Sequence, residues 1–144
     1  MEVINVINKM INITITHKEY LIIHLCIRQA FENVRTFEFR KRIGVTEEYM
    51  RAIQCYARSV SESRPNEATT IPITFSMEKI NNDLLYATMT LNDLRAIGNC
   101  IKMTLKRTGR WEIHTLIGAY AEELESLRDQ IIDAQHRAFP DHSP

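Results

Sequence analysis

Apolar and polar residues alternate in two stretches of the chain that each lie just before a helix-like segment. Residues 11–15 read Ile-Asn-Ile-Thr-Ile, and residues 85–90 read Leu-Tyr-Ala-Thr-Met-Thr. A period of two is typical of a half-buried β-strand, because successive side chains point to opposite faces of a sheet. The pattern therefore predicts one strand in each half of the chain.

Two further strands are predicted, each lying just before one of the first two. Residues 3–7 could pair with the 11–15 strand through a turn at residues 8–9. Residues 71–77 alternate, and could pair with the 85–90 strand across residues 81–83. Pro72 would place this strand at a sheet edge or restrict it to its first residues, because proline has no backbone N–H to donate.

A helix start follows each of the two alternating strands. Thr16 and Thr90 stand at the N-cap, and an acidic residue, Glu19 or Asp93, follows three positions later in the arrangement of a capping box. Apolar residues then recur at spacings of three and four, as in an amphipathic helix. They are Tyr20, Ile23, Ile27 and Phe31 in the first half, and Leu94, Ile97, Ile101 and Leu105 in the second.

Two more helices are predicted in each half. The short second helix covers residues 37–43 or 111–117, and Gly44 or Gly118 ends it, since glycine adopts the left-handed conformation without a Cβ clash. The third helix is predicted at residues 46–60 and 120–138. Its apolar stripe comprises Met50, Ile53, Ala57 and Val60 in the first half, and Leu124, Leu127, Ile131 and Ala134 in the second.

The two halves register without a gap when the sequence is shifted by 74 residues, so that residues 11–60 align with 85–134. The predicted order is then ββααα-ββααα. Because about 60 residues per unit would make a thin core, we predict one α+β domain over residues 1–144, with one antiparallel sheet of about four strands and the helices packed on it. The repeat units are about 1–60 and 71–138, joined by 61–70.

Composition excludes several classes of protein. Eighteen basic residues balance eighteen acidic ones, whereas a protein devoted to packaging DNA would carry a strong basic excess. No apolar run approaches the roughly 20 residues that cross a bilayer. The three cysteines form no closely spaced pairs, which is typical of a reducing cytoplasm and not of a disulfide framework. We therefore expect a cytoplasmic protein without a membrane partner.

The sequence contains none of the catalytic motifs that we sought. Its four glycines do not cluster into a phosphate-binding loop, and G-x-S-x-G and H-E-x-x-H are absent. His24 and Cys26 are two residues apart and would point about 200° away from each other on a helix, which is poor for shared metal ligation. Cys26 and its repeat equivalent Cys100 are more typical of packed core residues, with a metal or nucleophile role as the alternative. We expect no enzyme activity, no cofactor and no metal.

Charge is unevenly distributed. Basic residues group at Arg35, Arg40, Lys41 and Arg42, and again at Lys102, Lys106, Arg107 and Arg110. Acidic residues group on the last predicted helix, at Glu122, Glu123, Glu125, Asp129 and Asp133. Helix-dipole complementation explains much of this pattern, but not Asp129 and Asp133, far along the helix. These five acidic residues are the predicted partner-binding site, because complementary charge speeds encounter with a basic partner. The aromatic residues Phe37, Phe39, Trp111 and Tyr120 are predicted to be core residues.

Residues 37–48, Phe-Glu-Phe-Arg-Lys-Arg-Ile-Gly-Val-Thr-Glu-Glu, resemble an E-F-x-x-R-x-G-x-x-x-E-E segment of bacterial immunity proteins, with two residues instead of three between Gly44 and Glu47. Those proteins belong to contact-dependent growth inhibition and other polymorphic toxin systems. The second half matches less well, with Leu116 where the first has Arg42. The resemblance implies a cytoplasmic protein that binds the C-terminal domain of a cognate toxin, commonly a nuclease, and covers its active site.

Two other functions are compatible with the sequence. A nucleic-acid-binding or regulatory module could use the basic stretches 35–42 and 102–110, and its affinity would depend steeply on salt. An assembly subunit could instead form oligomers through an exposed strand edge.

Overall fold

The computed structural model describes residues 1–65 and 71–138. The described elements follow the order ββααα-ββααα that the sequence predicts. The strands are β1 (Glu2–Ile7), β2 (Met10–Thr16), β3 (Ser76–Lys79) and β4 (Leu84–Thr90). The helices are α1 (His17–Asn33), α2 (Thr36–Ile43), α3 (Glu47–Ser61), α4 (Leu91–Arg107), α5 (Arg110–Ile117) and α6 (Ala121–Ala138). Residues 66–70 of the predicted junction lie outside the described part.

The four strands form one antiparallel sheet in the order β1-β2-β4-β3. The central strands β2 and β4, one from each half, pair over seven residues, from Met10 opposite Thr90 to Thr16 opposite Leu84. Strand β1 turns into β2 through residues 8–9, whose positive φ angles of 52° and 65° are those of a tight two-residue hairpin turn. The predicted fold class, an α+β domain with helices packed on an antiparallel sheet, is confirmed.

Strand β3 is shorter and later than predicted. The sequence pattern indicates residues 71–77, but pairing with β4 covers only Ser76–Lys79. In the preceding segment the backbone N–H of Thr74 donates to the Tyr49 hydroxyl at 3.1 Å, so it is directed toward α3. Apolar and polar residues alternate in this segment because Phe75 and Met77 are buried while Ser76 is exposed. The alternating pattern therefore indicates which side chains are buried, and not where the strand begins.

Both halves carry elements of matching length. Strands β2 and β4 have seven residues, α1 and α4 have 17, and α2 and α5 have eight, each pair 74 positions apart. Thr16 and Thr90 each cap their helix in the predicted capping box, and Gly44 and Gly118 end α2 and α5 with positive φ. The interpretation of this pattern as a duplication stays a prediction.

The core lies between the sheet and the helices and draws on both halves. Alternate residues of β2 and β4 face it, namely Ile11, Ile13, Ile15, Leu85, Ala87 and Met89. Helix α4 packs against both α1 and α6. Gly98 permits the close approach of α4 to α6, because a Cβ at this position would lie only 3.1 Å from Ile131 Cγ2. The predicted helix stripes are buried, except for Phe31, Val60 and Leu105, which are partly buried.

Candidate protein-binding face

Three of the four aromatic residues that the sequence assigns to the core lie on the surface. Phe39 is fully buried, but Phe37, Trp111 and Tyr120 are 77%, 78% and 61% exposed, so the prediction is wrong for these three. Residues two apart on a helix point about 200° away from each other. Because Phe39 faces the core, Phe37 must face away from it, and Trp111 stands at the equivalent position of α5.

Trp111, His114 and Tyr120 form what we call the aromatic face. Trp111 and His114 are three residues apart on α5 and therefore lie on the same side of that helix. The rings of His114 and Tyr120 stack with centroids 4.5 Å apart and an angle of 21° between their planes. An indole, an imidazole and a phenol are thus presented together at the junction of α5 and α6.

The turn between α5 and α6 positions the Tyr120 end of this face. Gly118 adopts a positive φ of 75° and reverses the chain after α5. The Tyr120 backbone N–H then donates to Glu123 Oε2 at 2.9 Å, which caps the start of α6. The positive φ of Gly118 and the hydrogen bond of Tyr120 both depend on residues within a few positions. The local sequence therefore sets the backbone position of Tyr120.

Four of the five predicted acidic site residues come together on α6. Glu122, Glu125, Asp129 and Asp133 fall within about 80° of the helix circumference, at 3.6 residues per turn, and we call them the acidic stripe. They lie opposite the buried side, which is formed by Leu124, Leu127, Ile131 and Ala134. Glu123 is separate from the stripe, because it turns toward α1 and pairs with Lys18 Nζ at 2.7 Å.

Arginine 110 joins the aromatic face to the acidic stripe. Its guanidinium reaches from the first residue of α5 to Glu122, with Nη2 2.7 Å from Oε1, and also binds Glu125. Two further arginines pair with the rest of the stripe, Arg128 with Asp129 at 3.1 Å and Arg137 with Asp133 at 3.0 Å. The stripe therefore carries less uncompensated negative charge than the sequence alone indicates.

The pKa values of two acidic residues are lowered by hydrogen bonds. The pKa of Glu122 is lowered by a backbone N–H first and by Arg110 second, while that of Glu123 is lowered mainly by its hydrogen bond from Lys18. Both carboxylates are charged at neutral pH. Exposed ion pairs of this kind contribute little to stability because solvent screens them, so well-placed basic groups of a partner could replace them.

The two basic stretches are exposed but are not equivalent in their contacts. Arg42 pairs with Glu38 at 3.9 Å, and Arg110 is taken up by the acidic stripe. Within residues 1–65 and 71–138, no ion pair involves the remaining members, which are Arg35, Arg40, Lys41, Lys102, Lys106 and Arg107. The end of α2 packs near the first part of α4, where Asn99 Nδ2 donates to the Ile43 carbonyl at 2.8 Å.

No protein family, curated protein or solved structure matches the chain. None of the described helices is both long and apolar enough to span a membrane. In the described part of the chain, no group of three His, Cys, Asp or Glu side chains is placed to hold a metal ion.

The edge strand β1 is a second apolar surface. Ile4, Val6 and Ile7 are exposed along it, and no charged residue stands between Glu2 and Lys9. The opposite edge, β3, is only four residues long and carries Glu78 and Lys79, features that protect an edge from unwanted pairing. The assembly hypothesis from the sequence concerns β1, and it stays a prediction.

The three cysteines differ in burial, so their reactivity provides a direct check of the packing. Cys26 and Cys100 are buried, as predicted, and Cys55 is exposed. Burial raises the pKa of the Cys26 thiol to about 12 and also raises that of Cys100, which leaves little thiolate to react. We expect a thiol-specific disulfide reagent at pH 8 to modify Cys55 at least about a hundredfold faster than the other two. Labelling of all three at one rate in the folded protein would contradict this packing.

Proposed function

We propose that this protein is an immunity-type inhibitor, which binds the C-terminal domain of a cognate toxin in the cytoplasm and covers its active site. The observation that carries the proposal is the aromatic face beside the acidic stripe. A tryptophan and a tyrosine are largely exposed in the free chain, and Arg110 and the acidic stripe lie next to them. Protein interfaces have this arrangement, with an aromatic centre and a polar rim.

The residue types of this surface favour protein recognition over catalysis. Tryptophan, tyrosine and arginine are the residues that most often dominate binding energy at interfaces, and Trp111, Tyr120 and Arg110 lie together here. No nucleophile, base and orienting group converge around them in the described chain, which is the arrangement that an enzyme mechanism needs.

The toxin as partner rests on the resemblance of residues 37–48 to immunity proteins. A nuclease toxin has a basic substrate cleft, and the acidic stripe offers four carboxylates at helical spacing to such a cleft. Arg110, Arg128 and Arg137 would have to release these carboxylates as the complex forms. Because these ion pairs are exposed, their release should cost little free energy.

The proposal predicts that a neighbouring reading frame encodes a large secreted protein that ends in a toxin domain, and this domain is the partner to test. That domain should arrest growth when it is produced alone in the cytoplasm, and co-production of this chain should restore growth. The two purified proteins should form a stable complex in titration calorimetry. Growth arrest that persists despite soluble co-production of this chain would contradict the proposal.

Two variants test the contributions of the aromatic face and of the acidic stripe to toxin binding separately. Trp111→Ala should weaken toxin binding by about 2 kcal/mol, or roughly thirtyfold, because it removes a large apolar anchor. Asp129→Lys with Asp133→Lys should weaken binding through charge reversal, with an effect that grows at low salt. Both variants change exposed residues and should melt within a few degrees of the native protein. Unchanged affinity for the double variant would remove the far end of the stripe from the interface.

A nucleic-acid-binding module remains the second candidate, favoured by the basic residues that have no ion pair in the described structure, such as Lys102 and Lys106. Binding of a random-sequence duplex that weakens steeply with salt would support it. Each removed phosphate-contacting residue would then reduce the salt slope by about one unit. The zero net charge of the chain favours the inhibitor.

A further inference from the structure

A groove of about 460 Å³ runs between α1 and α3, in the half of the chain that does not carry the aromatic face. Its size lies within the range of about 300–1,000 Å³ that is usual for small-molecule sites. Helix α1 contributes His24, Arg28, Phe31 and Glu32, and helix α3 contributes Arg51, Gln54, Cys55 and Arg58. Three guanidinium groups and one carboxylate therefore line it.

The three arginines make few hydrogen bonds in the free protein. Arg51 and Arg58 each donate a single hydrogen bond to a glutamate four residues away in the sequence, Glu47 and Glu62, at 2.9 and 3.1 Å. Arg28 lies 3.8 Å from Glu32, beyond hydrogen-bond distance. Each guanidinium has five N–H donors, so most of these donors remain available to a ligand in the groove.

One of the guanidinium groups is oriented in advance. The Arg51 guanidinium carbon lies 4.1 Å from the centre of the Phe31 ring, in a cation–π contact that joins the two walls of the groove. Gln54 also bridges the walls, because its Nε2 donates to the His24 carbonyl at 3.4 Å. These contacts reduce the ordering that a bound anion would require.

His24 is the polar group at the inner side of the groove. Its Nδ1 is buried and has no hydrogen-bond partner in the described structure. The pKa of His24 is lowered by burial first and then by the nearby charges of Arg58 and Arg28, so the imidazole is neutral at pH 7. The imidazole therefore adds a neutral, partly buried ring to the lining of the groove, where its resonances can report a bound ligand.

The groove of the second half shows that helix packing does not demand these arginines. It lies between α4 and α6 and has Gly98 at the position of His24 and Ile132 at the position of Arg58. Glu125 stands at the position of Arg51. The second groove is basic as well, with Arg95, Lys102 and Arg128 in its lining, but only the first groove combines three arginines with a histidine.

We propose that the α1–α3 groove binds the phosphate groups of a phosphorylated small molecule. Arg28, Arg51 and Arg58 would donate to the phosphate oxygens, for which the planar guanidinium is well suited. To bind phosphate, the three arginines would release their exposed and weak contacts with Glu32, Glu47 and Glu62. This site does not include the aromatic face, so it does not depend on toxin binding.

Inorganic pyrophosphate is a suitable probe, added at pH 7 and constant ionic strength to the full-length protein. We expect saturable binding in titration calorimetry and a saturable shift of the His24 imidazole resonances in NMR spectra. Arg28→Gln with Arg58→Gln should weaken binding by about tenfold or more, and both side chains are exposed, so the variant should fold normally. Lys102→Gln with Arg128→Gln, in the second groove, is the matched control and should bind like the native protein.

Absence of saturable pyrophosphate binding would overturn the proposal. An equal loss of affinity in both double variants would also overturn it, because this result would indicate a general response to positive charge. A DNA duplex that binds more tightly than pyrophosphate, with its affinity unchanged by the Arg28 and Arg58 substitutions, would instead place polyanion binding on the basic stretches. A His24 shift that saturates with pyrophosphate and disappears in the Arg28→Gln, Arg58→Gln variant would support the groove.

Discussion

Replacing Asp93 by alanine is expected to lower the free energy of unfolding by about 2–4 kcal/mol. Asp93 lies in the first turn of α4 and is only 2% exposed. Its carboxylate accepts hydrogen bonds from the Tyr49 hydroxyl at 2.8 Å, from Thr74 Oγ1 at 2.6 Å and from the Thr90 backbone N–H at 3.2 Å. One side chain thus holds together α3, the segment before β3 and the start of α4.

The loss should be large because the three donors cannot all find new partners. Alanine removes both carboxylate oxygens, and a buried donor without an acceptor costs about 1–3 kcal/mol. The favourable interaction of the negative charge with the N-terminus of α4 is lost as well. Once the carboxylate is absent, one of the Tyr49 and Thr74 hydroxyls, which lie 2.7 Å apart, can donate to the other, and this reduces the loss of stability.

Chemical denaturation of Asp93→Ala, Asp93→Asn and Tyr49→Phe would measure these contributions. Asparagine keeps one acceptor oxygen and should cost about half as much as alanine. Tyr49→Phe removes one donor and leaves the carboxylate with two others, so its effect should be the smallest. An Asp93→Ala variant as stable as the native protein would mean that this network does not hold the two halves together.

Local signals in the sequence predict much of this fold. The threonine caps, the glycines after α2 and α5 and the residue 8–9 turn each depend on neighbours within a few positions, and they are found where predicted. Strand β3 is misplaced because its boundary depends on Tyr49, which is 25 residues away from Thr74 in the sequence. Periodicity alone does not distinguish a buried irregular segment from a strand.

The candidate sites are less predictable for the same reason. The acidic stripe follows from helical spacing, but the pairing of Glu122 and Glu125 requires Arg110, which lies on another helix. The exposure of Trp111 can be inferred from Phe37 and Phe39, because a two-residue spacing on a helix cannot bury both rings. The α1–α3 groove has no sequence signature, since its arginines come together only when two helices pack.

Phe39→Ala is expected to destabilise the protein by about 3–5 kcal/mol, because it removes a fully buried aromatic ring and leaves a cavity. Helix α2 buries only two side chains, Phe39 and Ile43, so the variant loses one of the two buried side chains that hold this helix on the core. The Phe39 ring also stacks on Phe31, with centroids 5.6 Å apart and 24° between their planes. Phe31 in turn carries the cation–π contact with Arg51.

Phe37→Ala is the matched control, since it removes the same side chain from the same helix at a position that is 77% exposed. It should change the free energy of unfolding by less than about 0.5 kcal/mol. If Phe39 supports the groove through Phe31, Phe39→Ala should also weaken pyrophosphate binding at temperatures where it is still folded, and Phe37→Ala should not. Equal stability of the two variants would contradict the packing of α2, while unchanged pyrophosphate affinity in folded Phe39→Ala would separate that packing from the groove.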